Sequence, residues 1–173
     1  MDLKALDPYF RDANGTIIGL VSTGILMPSK ENPYRMQFGG EVLKDFDEQS
    51  GLLASKFFSN DALHVSEMVI FKRPVFAGHS FYSIYRVIKS SPGFVMIYGE
   101  IRSQPLGSSS PSPDDDPVCY SGLALCAMVD KQNGKIIKDR MPTVTLPTDW
   151  VREEIKEIGE NFFNLQKQFA KLL

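Results

Sequence analysis

One segment of this sequence predicts a long helix, and most of the remaining apolar segments predict strands. Residues 38–57 carry strong helix formers and contain no proline after the Gly39-Gly40 pair that opens them. Five segments rich in β-branched and aromatic residues predict strands: 17–27, 63–71, 79–88, 94–103 and 118–129. The four strands after the helix are expected to follow one another across the sheet as an antiparallel meander. One helix against an antiparallel sheet is an α+β architecture.

The chain is expected to fold as a single domain spanning residues 1–173, because 173 residues can bury one substantial core but are few for two. Residues 104–117 are rich in Ser and Pro and include three consecutive aspartates, a composition that predicts a mobile insertion within a long hairpin. Residues 149–173 have an amphipathic helical period and predict a C-terminal helix.

Composition excludes several functional classes. Apolar residues make up 43% and charged residues 23%, as is usual in globular proteins, and the formal net charge of −2 argues against a nucleic-acid partner. No apolar run approaches the roughly 20 residues that a membrane span needs. The N-terminal residues lack the pattern of a signal peptide or presequence, so we expect a cytoplasmic protein without a membrane partner.

The two cysteines, Cys119 and Cys126, lie seven residues apart in one predicted strand. This odd spacing places them on opposite faces, too far apart for a disulfide, so we expect both to be reduced. No cluster of Cys and His has the spacing of a metal site, and we expect no metal.

A carboxylate lies on one stripe of the predicted helix. At 3.6 residues per turn, Asp47 aligns with small and apolar positions: Gly40, Leu43, Ser50, Gly51 and Ala54. A carboxylate on a packing face loses solvation, which is tolerated only with compensation or a purpose. The pattern leaves two possibilities open, a desolvated functional acid and an ordinary half-exposed side chain at the helix edge. Asp45 falls on the opposite side and is expected to be a solvated charge.

The beginning of this helix offers a second candidate feature. Gly39 and Gly40 lack a β-carbon and allow a ligand to approach the backbone closely. The first N–H groups of a helix have no intrahelical partner and can bind a carbonyl oxygen that becomes negative during acyl transfer. A Gly-Gly pair also occurs in simple turns, and Asn32 in the preceding loop is equally compatible with a turn residue.

Three motifs in register resemble the hotdog-fold acyl-CoA hydrolases, in the branch of the YciA-like enzymes and the cytosolic acyl-CoA thioesterases. The first runs from Asn32 through Phe-Gly-Gly at 38–40 to Asp47. The second is Phe-Lys-Arg-Pro-Val-Phe-Ala-Gly at 71–78. The third is Ala-Met-Val-Asp at 127–130, followed by Gly134-Lys135 and Pro142. Together they cover roughly residues 17–142, and the departures include His79 in place of the usual Asp.

The resemblance implies a hotdog fold, with a curved antiparallel sheet wrapped around one long helix. It also implies a homodimer with active sites at the interface, often assembled into hexamers. In that family Asp47 matches the catalytic acid and Asn32 its partner. Gly39 and Gly40 match the helix start whose N–H polarises the thioester carbonyl. The implied activity is hydrolysis of acyl-CoA, with CoA as part of the substrate and no cofactor.

Further residues are expected to bind the substrate. Candidate walls for the acyl chain, in the gap between helix and sheet, are Phe38, Leu43, Ser66 and Met68. Candidate ligands for the CoA phosphates are Lys72 and Arg73. Two alternatives remain open, a hotdog hydroxyacyl dehydratase and a non-catalytic acyl-CoA-binding protein. A dehydratase needs a His beside a carboxylate, and the sequence places no acid beside either His64 or His79, so both are expected to be structural or solvated.

Overall fold

The computed structural model describes residues 7–108, 117–147 and 150–172, which form one antiparallel sheet and two long helices. The strands are β1 (Tyr9–Arg11), β2 (Ile17–Ile25), β3 (Ala62–Phe71), β4 (His79–Ser91), β5 (Phe94–Pro105) and β6 (Val118–Met128). The helices are α1 (Gly39–Phe58) and α2 (Glu153–Leu172), and a short 3-10 turn covers Pro28–Lys30. The α+β class, the long helix and the C-terminal helix are thus confirmed.

The order of strands differs from the expected meander. Across the sheet it is β1-β2-β4-β5-β6-β3, so β3 pairs with β6 and not with its sequence neighbour β4. The segment 72–78 carries the chain from the β3 edge back toward the start of α1, where the Gln37 N–H donates to the Val75 carbonyl. The predicted meander was therefore wrong. A residue pattern identifies a strand, but it does not show which other strand pairs with it. The short strand β1 was also missed, since its three residues carry no clear alternation.

The insertion is shorter than predicted. β5 continues through Gln104 and Pro105, and residues 109–116 lie outside the described part of the chain. β5 and β6 pair directly, as expected for two strands joined by a long hairpin connection. At the C-terminus α2 begins at Glu153, four residues later than predicted. Residues 148–149 and 173 also lie outside the described part of the chain.

The helix α1 packs against one face of the sheet. Its fully buried rings are Phe46 and Phe57, and Phe46 contacts Tyr85 of β4 at 5.5 Å between ring centroids. Beneath Phe46, Gly99 of β5 pairs with Gly122 of β6. A β-carbon on Gly99 would lie 2.5 Å from the Tyr85 ring and 2.8 Å from the Phe46 ring, and one on Gly122 would lie 2.6 Å from the Met68 carbonyl oxygen and 3.0 Å from the Phe46 ring. The glycine pair therefore lets the helix sit directly on the backbone of the sheet.

The helix α2 covers the opposite face. Its Phe163 is buried with Tyr98, Leu123 and Leu125 of β5 and β6, and the Lys89 ammonium pairs with Glu160 at 2.8 Å. The sheet is thus covered on both faces. Cys119 and Cys126 are both buried, and neither is in a disulfide bond. Within the described ranges, neither helix is long and apolar enough to cross a membrane.

A carboxylate joins the β1–β2 turn to the segment before α2. Oδ1 of Asp12 accepts hydrogen bonds from the N–H groups of Asn14 and Thr16, both at 2.9 Å. Oδ2 accepts from the Thr145 N–H at 3.0 Å. These backbone donors, that of Thr145 foremost, lower the pKa of Asp12 from its usual 3.8.

We expect Asp12→Ala to lower the melting temperature at pH 7, because three backbone N–H groups lose their acceptor. A carboxyl whose pKa is lower in the folded state stabilises the fold above its unfolded pKa and loses that effect as the pH falls through the folded pKa. The difference between wild type and variant should therefore shrink below about pH 4. Thermal melts across this range, with the exposed Asp139→Ala as control, test the expectation. A constant difference down to pH 2 would contradict it.

Candidate active site

The exposed side of α1 carries the candidate acid. The buried stripe of the helix consists of Val42, Phe46, Ser50, Leu53, Ala54, Phe57 and Phe58. Asp47 lies beside this stripe, and its side chain is 55% exposed in the single chain. Of the two possibilities that the sequence left open, the half-exposed position at the helix edge is the one observed. The large apolar side chains at 42, 46, 53 and 57 determine which face packs, and they rotate Asp47 outward.

Asp45 is not the free solvated charge that was expected. Its carboxylate accepts hydrogen bonds from the Gln37 amide at 2.9 Å and from the Lys30 ammonium at 3.2 Å. The hydrogen bond to Asp45 raises the pKa of Lys30 above its usual value. Asp45 therefore ties the loop before α1 to the helix, a role that the helical wheel could not show because both partners lie outside the helix.

A histidine faces Asp47 from the edge strand. Oδ1 of Asp47 contacts Nδ1 of His64, whose side chain is only 16% exposed. The expectation that His64 has no acid beside it is wrong. The contact joins α1 to β3. The sequence pattern predicted both elements but not that they lie next to each other.

An irregularity in β3 makes this contact possible. The pairing of β3 with β6 shifts between His64 and Ser66, so that His64 lies opposite Cys126 and Glu67 opposite Ala124. Both of those β6 residues belong to the core beneath α1. In a regular strand, residues three apart point to opposite faces. The bulge therefore brings His64 and Glu67 to the same face.

The other edge of the imidazole also meets oxygen atoms. Nε2 of His64 lies 3.2 Å from the Ser66 carbonyl oxygen and 3.8 Å from Oε2 of Glu67. Burial raises the pKa of Glu67, the His64 ring opposes this rise, and Asp47 adds to it. Because Asp47 and Glu67 flank opposite edges of the ring, the three side chains do not converge on a point where one metal ion could bind.

The first turn of α1 presents unused donors. The Phe38 carbonyl accepts from the N–H groups of Glu41 and Val42, at 2.9 and 3.1 Å. Among the described residues no group accepts from the N–H of Gly39 or Gly40. Both glycines are exposed, and a β-carbon on Gly40 would lie 3.2 Å from the Phe38 ring. The helix thus begins with two accessible amides at its positive end.

Asn32 organises the loop that leads to this helix. Its Oδ1 accepts from the N–H groups of Tyr34 at 2.9 Å and Met36 at 3.3 Å. Arg35, in the same turn, has a positive φ of 60°. Within the described part of a single chain, Asn32 makes no hydrogen bond to Asp47. One chain therefore does not bring the two residues together.

The remaining predicted residues fall in three places. Ser66 and Met68 lie opposite Leu125 and Leu123, which face α2, so their expected position in the gap between α1 and the sheet is wrong. The bulge again explains the error. Phe38 and Leu43 lie on the exposed side of α1, 57% and 38% exposed.

Lys72 and Arg73 follow directly after β3, and both residues are exposed. Their backbone N–H groups donate to the Cys119 carbonyl, at 2.7 and 2.9 Å. Neither side chain has an ion-pair partner among the residues that the structure describes, and both are open to an anionic ligand.

A separate cavity of about 150 Å³ lies beneath the first half of α1. It is lined by Asp45 and Gln49 of the helix and by Phe81, Ser83 and Tyr85 of β4, among others. The Tyr85 hydroxyl is buried without a hydrogen-bond partner in the described structure, and burial raises its pKa strongly. Asp47 is not among the residues that line this cavity.

Comparison with known proteins gives no matching family model and no matching curated sequence. Solved structures do match. An apo-hexameric acyl-CoA thioesterase is 21% identical and has a TM-score of 0.68, covering 88% of this chain and 91% of that one. An acyl-CoA hydrolase from Staphylococcus aureus, in complex with butyryl coenzyme A, is 15% identical with a TM-score of 0.68, covering 89% and 94%. An acyl-CoA hydrolase from Bacillus cereus is 19% identical with a TM-score of 0.66, covering 90% and 94%.

The chain has the hotdog fold. Its long helix α1 is the hotdog helix, and the candidate residues Asp47, Gly39 and Gly40 all lie on the exposed side of that helix. His64 is the residue that sequence reasoning missed. The sequence carries no local signal for it, because His64 lies next to the hotdog helix only through the packing of β3 and the bulge in that strand.

Proposed function

We propose that this hotdog protein hydrolyses acyl-CoA thioesters, with Asp47 as the general base. The observation that carries the proposal is a carboxylate on the exposed side of the hotdog helix, held by His64, on a helix whose first amides are unused. The named activities of the structural neighbours support it.

A spacing supports the choice of residues. The Staphylococcus aureus hydrolase was also crystallised with an aspartate and with an asparagine replaced by alanine. Those two residues are 15 positions apart, as are Asn32 and Asp47 in this chain. We infer that the two pairs correspond.

The active unit in this proposal is a homodimer that pairs through β3. This ten-residue strand forms an edge of the sheet and carries exposed apolar side chains, Leu63, Val65, Ile70 and Phe71. A long apolar edge strand is a template for pairing with another chain. Two copies joined there would cover Asp47 and bring Asn32 of one chain toward Asp47 of the other. The hexameric neighbours support a further assembly of three such dimers.

The chemistry follows from the exposed groups. The Gly40 N–H, with that of Gly39, binds the thioester oxygen, and Asp47 removes a proton from water as the water attacks the carbonyl carbon. The tetrahedral intermediate collapses, the C–S bond breaks, and the CoA thiolate takes up a proton. An oxyanion donor contributes about 3–4 kcal/mol and a general base about 10²- to 10⁴-fold. Asn32 orients the water or the carbonyl.

The substrate supplies CoA, and the reaction requires no cofactor. Phe38 and Leu43, on the exposed side of the hotdog helix, are placed to contact the acyl or pantetheine chain. Lys72 and Arg73 are placed at the end of β3 to meet the CoA phosphates. Two buried cysteines without a disulfide bond agree with a reducing, cytoplasmic location.

The Asp47–His64 contact favours one alternative, a hotdog hydroxyacyl dehydratase, because that chemistry pairs an imidazole with a carboxylate. Purified protein should be assayed with acyl-CoA esters of increasing chain length for thiol release, and with enoyl-CoA for hydration. Thiol release without hydration is the expected result. Hydration without thiol release would establish the dehydratase, and saturable binding without turnover would establish a binding protein.

A further inference from the structure

We propose that His64 is a positioning residue for Asp47: its ring contacts one carboxylate oxygen, so that the other stays directed at the attacking water. The inference rests on the proposed role of Asp47 as base. It concerns a side chain of β3, outside the helix that carries the acid and the amides.

The position of His64 is fixed by packing. Its side chain is only 16% exposed, while the Asp47 side chain is 55% exposed, so the ring is the more constrained partner. The β3 bulge turns the ring under α1, opposite Cys126 of β6. A constrained ring in contact with Oδ1 limits the rotation of the Asp47 carboxylate and leaves Oδ2 available for a water molecule.

Oxygen atoms surround both edges of the ring. Nδ1 contacts the Asp47 carboxylate, and Nε2 faces the Ser66 carbonyl and the Glu67 carboxylate. The edge of the ring that does not contact Asp47 is thus held against β3, which keeps the Nδ1 edge turned toward α1.

The titratable groups around the ring come from three elements. Asp47 faces it from α1, Glu67 from β3, and Cys126 lies across from it on β6. Burial, with a smaller effect of the Asp47 charge, raises the pKa of Cys126 to about 12, so this thiol stays neutral near pH 7. Burial raises the pKa of Glu67 as well. Asp47 is therefore the charged group in direct contact with the ring.

This arrangement predicts which kinetic constant depends on the ring. Without the ring the Asp47 carboxylate can rotate away from the attacking water, so kcat should fall. KM should change little, because the proposed substrate contacts come from other residues. A smaller polar side chain that still reaches Oδ1 should keep Asp47 in place.

The test compares His64→Asn, which retains an N–H donor near the position of Nδ1, with His64→Leu, which does not. We expect His64→Leu to lower kcat about 10- to 100-fold, the cost of a misplaced catalytic group, with KM within about twofold of wild type. His64→Asn should recover most of that loss. His79→Asn, at the other histidine, is the matched control and should keep the wild-type kcat.

Two results would overturn the inference. One is a kcat for His64→Asn as low as that of His64→Leu, and the other is equal kcat for His64→Leu and wild type. Melting temperatures and assembly state identify a variant that has failed to fold, and His64→Asn then gives the answer alone. Failure of the proposed function is distinguishable, because it would appear as full turnover in Asp47→Asn whatever the His64 variants do.

Discussion

Asp47→Asn is expected to lower kcat for acyl-CoA hydrolysis by about 10²- to 10⁴-fold, the usual contribution of a positioned general base. The amide has the size of the carboxylate but cannot take a proton from water. Its side chain is 55% exposed in the single chain, and an amide of the same shape can keep the contact with His64, so the melting temperature and the assembly state should change little. Thiol release under saturating substrate measures the effect.

The neighbouring aspartate provides the control. Asp45→Asn loses the charged partner of Lys30 and should loosen the loop before α1, but it should leave kcat within a few-fold of wild type. The two residues are chemically identical and lie on the same helix, so general effects on charge or expression are matched. If Asp45→Asn abolished turnover while Asp47→Asn did not, the base would have to be reassigned to Asp45.

The double variant Leu63→Lys and Val65→Lys is expected to dissociate the homodimer. In a two-fold interface each substitution occurs twice, so four positive charges would meet along the β3 edge. A penalty of about 3 kcal/mol corresponds to a dissociation constant raised about 100-fold. Both side chains are exposed in the single chain, 55% and 44%, so the monomer itself should remain folded.

Sedimentation across a concentration series should show this change directly. Turnover should fall together with the dimer fraction and recover at high protein concentration, which separates loss of assembly from damage to the site. Leu106→Lys, an equally drastic change at a side chain that is 64% exposed but lies outside β3, should have no effect on assembly. A variant that stays dimeric would show that the copies pair elsewhere.

The sequence predicted elements better than arrangement. The boundaries of α1 were correct to about one residue because the Gly39-Gly40 pair and the run of helix formers are local signals. The hotdog fold was confirmed because three motifs in register specify more than any single pattern does. The edge position of β3 was missed because neighbouring strands are selected by long-range pairing, which leaves no mark in the residues of one strand.

The candidate site shows the same division. Asp47 and the glycines could be proposed as site residues from the sequence because their spacing is a property of one segment. The exposure of the Asp47 side chain could not be predicted, because the packing face of α1 depends on which large side chains the sheet accommodates. His64 has no acid beside it in the sequence, and only the packing of α1 on β3 brings Asp47 to it. Ser66 and Met68 were placed on the wrong face, since the bulge in β3 puts them on the side of the sheet opposite His64.

The paired glycines beneath Phe46 have a consequence for how variants of this protein should be interpreted. Gly99 and Gly122 leave room for the Phe46 ring of α1 on the sheet, and the ends of the Asp47–His64 contact belong to those two layers. A methyl group at Gly99 would overlap the Tyr85 and Phe46 rings, and one at Gly122 would overlap the Met68 carbonyl, so the packing between the two layers would have to shift. Both glycines are far from any reacting atom. A loss of activity after such a change would therefore reflect altered packing between the helix and the sheet, and not a chemical role of the substituted residue.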